Sequence, residues 1–341
     1  MPNVTLAPAT RPVREDGGLV ATDVDITRAV EALRRGRLVA FPTETVYGLG
    51  ADAASTDALS RLYAVKGRPP DHPVIVHVAA PDALDEWAAR VPAAARRLAD
   101  EIWPGPLTIV LERSDRVPDA VTGGGETVGV RVPDQHVALA LLRAFGGGIA
   151  APSANRFGRV SPTTAEHVRA DLGADVDVVL DDGPCSVGVE STIVDCSGAE
   201  PVILRPGGVS RERIAELVGR PVAVRSDGLV RAPGTLKSHY APEANVLLVS
   251  RDELVDRARS MVEAGQRVAV LASCRPSLPD GVIVLDAPGD ADEYARVLYA
   301  RLREADHAGV DVVLAVPPSD TGVGAAVADR LRRAAGAGSG S

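Results

Sequence analysis

The stretch FPTETVYGLG, residues 41–50, carries the first strong signal for the fold. The run that leads into it, Leu38 to Phe41, is short and apolar, which predicts a buried strand. The chain then passes directly into the polar segment Pro42 to Thr45, so polar groups follow a strand end. Open α/β sheets bind ligands where strand ends and loops converge. This stretch therefore predicts a sheet with a ligand site at one edge.

Helices and strands lie on both sides of this stretch without strict alternation. Apolar spacing predicts a helix over residues 25–35, and a capped helix from Thr56 to Gly67 places Lys66 at a helix end. Helical and strand patterns continue in mixed order to residue 218, and they include a helix predicted over residues 82–89. The pattern predicts an α/β domain, residues 19–218, built on a twisted mixed sheet that helices cover.

A second domain is predicted after a change in composition. Residues 219–244 are rich in proline and glycine and lack a helical period, which is typical of a linker. Residues 245–335 follow a β-α-β-β-α-β-α order, which predicts a smaller Rossmann-like α/β domain. Residues 1–18 and 336–341 show no periodicity and are predicted to be flexible tails.

Composition excludes several classes of protein. At about 150 residues per domain, 341 residues predict two domains, and 45% apolar with 24% charged residues is ordinary globular composition. The net charge of −9 argues against an extended nucleic-acid surface. No apolar run approaches the ~18 residues of a membrane span, and no signal peptide is evident, so a cytoplasmic protein is expected. The three cysteines form no CxxC pair, which argues against a disulfide framework or a cysteine-rich zinc site.

Cations at loop positions are the first candidate ligand groups. The chain has 37 basic residues, of which only Lys66 and Lys237 are lysines. Lys66 and Arg68 flank a glycine after a helix, a pair that suits a polyphosphate; the alternative is a solvated helix end, where basic residues are favoured. Arg131 ends an apolar strand and precedes Pro133, so it is a candidate for binding a carboxylate or phosphate, or for a structural ion pair.

Neutral groups and one further cation, Arg205, complete the set of candidates. Ser153, Asn155, Ser191 and Arg205 stand at strand ends, although such residues also form ordinary turns. The nucleophile elbow, the metalloprotease helix motif and the phosphate-binding P-loop are all absent from the sequence. A site rich in cations and hydroxyls but poor in bases favours nucleotidyl transfer, in which positioning and charge neutralisation supply most of the rate.

Eight short segments follow one another along the chain: PTETVYGLG, KGRP, WPGPLT, VGVRVPD, APSAN, SPT, ESTIVD and LRPG. Together, and in this order, they resemble the YrdC-like threonylcarbamoyl-AMP synthases. The linker segment APGTLKSHYAP, residues 232–242, and the second α/β domain make the resemblance closest to the long, two-domain form of that family.

The resemblance implies a reaction and its partners. L-threonine, bicarbonate or CO2, and ATP would give threonylcarbamoyl-AMP and pyrophosphate. A separate tRNA threonylcarbamoyl transferase would then move the threonylcarbamoyl group to the adenosine next to the anticodon. ATP is a substrate in this scheme, and Mg²⁺ is expected to bridge its phosphates, with the metal ligands unassigned.

The resemblance also implies roles for individual residues. Four of them would surround threonine, with Arg131 as the fork for its carboxylate: Thr43, His77, Arg131 and Ser191. Others would hold ATP, with the first two facing the phosphates and carrying catalysis: Lys66, Arg68, Ser153, Asn155, Ser161, Arg205 and Tyr240. A lid over the nucleotide would be formed by the linker that carries Lys237, His239 and Tyr240.

Two other functions are compatible with parts of the sequence. One is a carbamoyltransferase that makes carbamoyl-AMP, although such enzymes carry additional zinc-finger-like and acylphosphatase-like regions that are absent here. The other is an RNA-binding or ribosome-maturation module, which the net charge of −9 and the 3% aromatic content disfavour.

Overall fold

The computed structural model describes residues 21–225, 241–274 and 276–336. The predicted tail 1–18, the lid residues Lys237, His239 and Tyr240, and nearly all of the tail 336–341 lie outside these ranges. In the part of the chain that is described, no helix is long and apolar enough to cross a membrane.

The first domain is built on a mixed sheet, as predicted. Its described strands, in chain order, are β1 (Val39–Phe41), β2 (Gly48–Asp52), β3 (Ile75–His77), β4 (Leu107–Glu112), β5 (Thr127–Arg131), β6 (Ile149–Ala150), β7 (Val178–Val179), β8 (Thr192–Asp195), β9 (Val202–Arg205) and β10 (Ala223–Val224). They are ordered β10-β9-β8-β4-β5-β3-β6-β2-β1-β7 across the sheet. The pairs β3–β5 and β4–β8 are parallel, whereas β4–β5 and β8–β9 are antiparallel.

Helices cover this sheet. They are α1 (Asp23–Arg34), α2 (Thr56–Lys66), α3 (Leu84–Trp87), α4 (Ala93–Ile102), α5 (Asp119–Thr122), α6 (His136–Phe145), α7 (Ala165–Leu172) and α8 (Arg211–Val218). Helix α2 begins after Ser55, whose side chain accepts a hydrogen bond from the Ala58 amide, and ends at Gly67 in the left-handed region, with φ of 63°. The predicted end of this helix is therefore confirmed, with Lys66 as its last residue, whereas its cap is Ser55 and Thr56 is its first residue.

The structure differs from the sequence analysis at two places. No strand was predicted after Thr45, but Gly48–Asp52 forms β2, which pairs antiparallel with β1. Glycine weakens a strand, but here a side chain at Gly50 would overlap the ring of Phe41, so the close approach of that ring requires glycine. The helix expected over residues 82–89 is reduced to a 3₁₀ turn, Pro81–Ala83, and the single turn of α3.

The second domain follows the predicted order of elements. It consists of β11 (Asn245–Leu248), α9 (Leu254–Glu263), β12 (Val268–Ala272), β13 (Ile283–Asp286), α10 (Ala291–His307), β14 (Val312–Ala315) and α11 (Gly324–Gly336). Its four strands are all parallel and ordered β11-β14-β12-β13. The segment predicted as a linker contributes β10, which pairs with β9 at the edge of the first sheet.

The two domains share part of an apolar core. Val46, Val160 and Val189 of the first domain belong to the same buried cluster as Leu298 and Leu331 of the second. Gly188, with φ of 81°, lies so close to the α10 backbone that a side chain there would overlap Arg296. The interface is thus a packed one, which brings α10 and α11 against the strand ends of the first domain.

Candidate functional site

A cleft lies where several strands of the first sheet end. His77 ends β3 and Arg131 ends β5, and the parallel pairing sets these two residues opposite each other. Ser191 directly precedes β8, and Arg205 ends the antiparallel neighbour β9. Because the sheet aligns these termini, residues that are up to 128 positions apart in the sequence meet at one edge.

The cleft has a volume of about 550 Å³, part of which is open to solvent. Seven of the predicted site residues line it: Thr43, Arg68, His77, Arg131, Ser153, Ser191 and Arg205. Three more are buried directly beside it: Lys66, Asn155 and Ser161. The predicted set that falls within the described residues is therefore contiguous.

Arg131 faces a carboxylate that the sequence analysis did not single out. Its Nη2 lies 2.7 Å from Oε2 of Glu44, and each side chain is only 5% exposed. The two groups are not aligned for a hydrogen bond, and Arg131 Nε and Nη2 make none within the described part of the chain. The guanidinium therefore retains donors for an incoming carboxylate.

His77 is a neutral imidazole in this environment. Burial, and then the charge of Arg131, lower the pKa of His77 to about 3. Its ring meets the ring of Phe41 edge-on, with 6.0 Å between the centroids. The residue thus adds no positive charge beside Arg131 at neutral pH.

The side chain of Lys66 is buried, and its ammonium group fixes a turn of the chain. Its Nζ donates hydrogen bonds to the carbonyl oxygens of Ser153 and Asn155, at 2.5 and 2.6 Å. Burial, and then the charge of Arg68, hold the pKa of Lys66 well below its ordinary value. The end of α2 is thereby fastened to the loop after β6, which carries two of the predicted ATP ligands.

Arg68 lines the cleft directly. Its Nη2 donates to the carbonyl oxygen of Pro73 at 2.8 Å, and its guanidinium lies 5.7 Å from the centroid of the Phe157 ring. These contacts fix the side chain beside the turn that Lys66 holds.

Arg205 and Ser191 are joined by several hydrogen bonds. Arg205 donates from Nε and Nη2 to the Ser191 carbonyl oxygen at 3.2 and 3.0 Å, and from Nη2 to Ser191 Oγ at 3.2 Å. Ser191 Oγ also lies 2.8 Å from Thr108 Oγ1. A cation and a hydroxyl are therefore held together at the base of the cleft.

Glu190 is a second acidic residue that the sequence analysis missed. It lines the cleft and is 6% exposed, and Ser161 Oγ donates to its Oε1 at 2.7 Å. Burial raises the pKa of Glu190, but the charges of Arg330 and Arg205 outweigh burial and lower the pKa to about 2. Both Glu44 and Glu190 lie next to predicted ligand residues, Thr43 and Ser191, and that adjacency was the available signal.

Asn155 presents a buried hydrogen-bond acceptor beside the cleft. Its Nδ2 donates to the carbonyl oxygens of Arg156 and Arg159, both at 2.8 Å, and the residue is 1% exposed. Its Oδ1 is buried and accepts no hydrogen bond from the described residues. Such an acceptor suits a ligand that donates a hydrogen bond, for example an amino or hydroxyl group.

Close packing at Gly207 sets the position of the Ser191 segment. A side chain there would overlap the backbone of Ser191 and Thr192. We expect Gly207→Ala to destabilise the protein by about 1–3 kcal/mol and to reduce activity, because the backbone must shift at the point where Ser191 and Arg205 meet. Denaturant unfolding and turnover measure this; Gly198→Ala, at a site with no atom within 4 Å, is the matched control. Wild-type values for both variants would contradict the account of this contact.

Comparison with known proteins agrees with the fold. The model of the Sua5–YciO–YrdC family, described as telomere recombination, matches residues 31–207. A second model, described as the C-terminal domain of threonylcarbamoyl-AMP synthase, matches residues 209–336.

Individual relatives are similar over nearly the whole chain. A threonylcarbamoyl-AMP synthase of Pyrococcus abyssi is 43% identical, covering 89% of this chain and 92% of its own. A threonylcarbamoyl-AMP synthase of Bacillus subtilis is 41% identical, covering 93% and 95%. The crystal structure of P. abyssi Sua5 complexed with L-threonine matches with a TM-score of 0.86 at 41% identity, covering 92% of this chain and 94% of that one.

Proposed function

The chain belongs to the Sua5–YciO–YrdC family and carries the C-terminal domain of threonylcarbamoyl-AMP synthases, and from that premise we propose how its cleft makes threonylcarbamoyl-AMP. The substrates are L-threonine, bicarbonate or CO2, and ATP, and the products are threonylcarbamoyl-AMP and pyrophosphate. The observation that carries the proposal is that one cleft contains both a guanidinium with donors to spare, Arg131, and a separate set of cations, with Arg68 and Arg205 on its walls.

Threonine occupies the part of the cleft around β3 and β5. Arg131 receives the carboxylate as a two-pronged donor, which is the geometry that a guanidinium favours. Thr43 and Ser191 offer hydroxyl groups, and His77 contributes a neutral ring. Glu44, 2.7 Å from Arg131, keeps the guanidinium oriented before the substrate arrives.

ATP occupies the part of the cleft beside α2 and β9. Arg68 and Arg205 neutralise phosphate charge, and Lys66 supports the Ser153–Asn155 turn and contributes its charge when phosphates are near. Ser161 and Asn155 contact the nucleoside. Because Ser161 donates its hydrogen to the ionised Glu190, it offers the nucleoside only an acceptor.

The chemistry consists of two bond-forming steps. The neutral amine of threonine attacks the carbon of CO2 and releases a proton to solvent water, giving a carbamate. A carbamate oxygen then attacks the α-phosphorus of ATP, and the bond to the bridging oxygen breaks as pyrophosphate leaves. The protein aligns the two substrates and balances phosphate charge, and we assign no general base because a carbamate oxygen is already a nucleophile.

Mg²⁺ is the expected companion of the phosphates. The residues that the structure describes contain no group of three or more His, Cys, Asp or Glu side chains that could hold a metal ion. A protein-built cage thus does not fit, whereas Mg²⁺ commonly binds through substrate phosphates and water with few protein ligands.

The product is passed on rather than used in place. We propose that a tRNA threonylcarbamoyl transferase consumes it, that the protein works in the cytoplasm, where ATP and tRNA are available, and that no extended nucleic-acid surface is needed, in line with the net charge of −9. Lys237, His239 and Tyr240 stay the predicted lid, with Tyr240 also assigned to ATP.

Pyrophosphate release tests the proposal. We expect the purified protein to release pyrophosphate from ATP only when threonine and bicarbonate are both present. Release that requires carbamoyl phosphate instead would indicate the carbamoyltransferase alternative. RNA binding with no release under any condition would indicate the RNA-binding alternative.

A further inference from the structure

Glu190 lines the cleft of the first domain, but side chains of the second domain form hydrogen bonds to its carboxylate. Tyr299 of α10 directs its hydroxyl at the carboxylate, 3.0 Å from Oε1 and 2.8 Å from Oε2. Arg330 of α11 donates from Nε to Oε2 at 2.8 Å. Tyr299 and Arg330 are both fully buried. One carboxylate in the site is therefore shared between the domains.

Tyr299 is one of three side chains on α10 that form hydrogen bonds to the first domain. Arg296, Tyr299 and Arg303 are spaced by three and four residues, so they lie on one face of the helix. Arg296 Nε donates to the carbonyl oxygen of Ser186 at 2.9 Å, and Arg303 Nη2 donates to that of Val160 at 2.5 Å. These backbone contacts lie next to the segments that carry Glu190 and Ser161.

The charge balance at Glu190 also depends on the second domain. Burial alone raises the pKa of this carboxyl, and the largest opposing contribution is the charge of Arg330, followed by Arg205 and the hydrogen bond from Ser161. The ionised carboxylate in turn requires Ser161 to donate its hydrogen. Whether the Ser161 hydroxyl can donate to the nucleotide thus depends on Tyr299 and Arg330, which lie more than 100 positions further along the chain.

We propose that Tyr299 and Arg330 are positioning residues for ATP, which act through Glu190 on Ser161. The second domain then has a definite role. Its residues Tyr299 and Arg330 do not line the cleft, but they hold Glu190, which does. The inference rests on the proposed function for the identity of the nucleotide.

A pair of tyrosine variants tests the proposal. Tyr299→Phe removes the hydroxyl that faces Glu190. Tyr294→Phe removes a buried hydroxyl from the same helix, but one that donates to Val316 inside the second domain. We expect Tyr299→Phe to weaken ATP binding about tenfold, the loss typical of a hydrogen bond to a charged group, while Tyr294→Phe binds ATP as the wild type does. KM for threonine should change much less than KM for ATP in Tyr299→Phe.

Substitution of Arg330 supplies a second readout. In Arg330→Met the pKa of Glu190 should rise, because the variant lacks the largest contribution that opposes burial, the charge of Arg330. Both enzymes lose activity at low pH as the threonine amine is protonated, so the readout is the ratio of variant to wild-type activity. This ratio should fall as the pH is lowered through the raised pKa, because the wild-type carboxyl stays ionised there. Arg330→Lys retains the charge and should restore most of the wild-type pH profile.

Calorimetric titration with ATP separates the two proposals, since it does not depend on turnover. If Tyr299→Phe and Tyr294→Phe bind ATP equally well, the positioning role is wrong, even when both variants unfold at a lower temperature. If the wild type binds ATP but forms no threonylcarbamoyl-AMP, the proposed function is wrong, while the tyrosine comparison still decides the role of α10.

Discussion

Lys66→Met is expected to lower kcat/KM for ATP by about a hundredfold or more, the scale typical of losing one preorganised charge at a phosphoryl-transfer site. Two effects act together. The variant lacks the cation that we propose for the phosphates, and it also leaves the carbonyl oxygens of Ser153 and Asn155 without the donor that holds the turn. Initial rates of pyrophosphate release at varied ATP measure the loss.

Arg61→Met is the matched control for this variant. Arg61 is on the same helix, but its guanidinium pairs with Asp177 outside the cleft, and its side chain is 41% exposed. We expect this control to keep nearly full activity. If Lys66→Met were folded and as active as the control, the assignment of Lys66 to the ATP half of the cleft would be wrong.

Arg131→Met is expected to raise KM for threonine by about a hundredfold or more, because the carboxylate loses a two-pronged, charge-assisted contact in a buried place. KM for ATP should change far less, since Arg131 lies with His77 in the other half of the cleft. Arg131→Lys retains the charge but not the fork, so its KM for threonine should fall between the wild type and the methionine variant.

Removing Arg131 also leaves Glu44 buried without its cation, so stability is measured alongside. The double variant Glu44→Gln, Arg131→Met removes both charges and should regain stability without regaining threonine binding. Recovery of threonine binding in the double variant would show that Arg131 is a structural ion pair, the alternative that its sequence position left open.

Much of the site follows from local sequence signals. The glycine at position 67 predicts where α2 ends, and that end places Lys66 beside a loop. Apolar runs that stop at polar residues predict strand ends, which is why Arg131 and Arg205 could be expected at one edge of a sheet. The order of the second domain was predictable for the same reason, since each element has its own period.

Other features are not local. Strand β2 was missed because its two glycines weaken any strand pattern, and the ring of Phe41 that fills their place belongs to another strand. The burial of Glu190 depends on Tyr299 and Arg330, which are ordinary helix residues when taken alone. The position of Glu190 in a ligand-binding motif predicts neither the charge state of its carboxyl nor the distant arginine that sets that charge.

The product itself tests the central claim, that one cleft joins threonine to a nucleotide through a carbon derived from bicarbonate. Mass spectrometry of a reaction with ATP, threonine and ¹³C-labelled bicarbonate measures this directly. The account predicts threonylcarbamoyl-AMP that carries the label, formed together with pyrophosphate. Label-free adenylate, or pyrophosphate release with no adenylate that contains threonine, would contradict it.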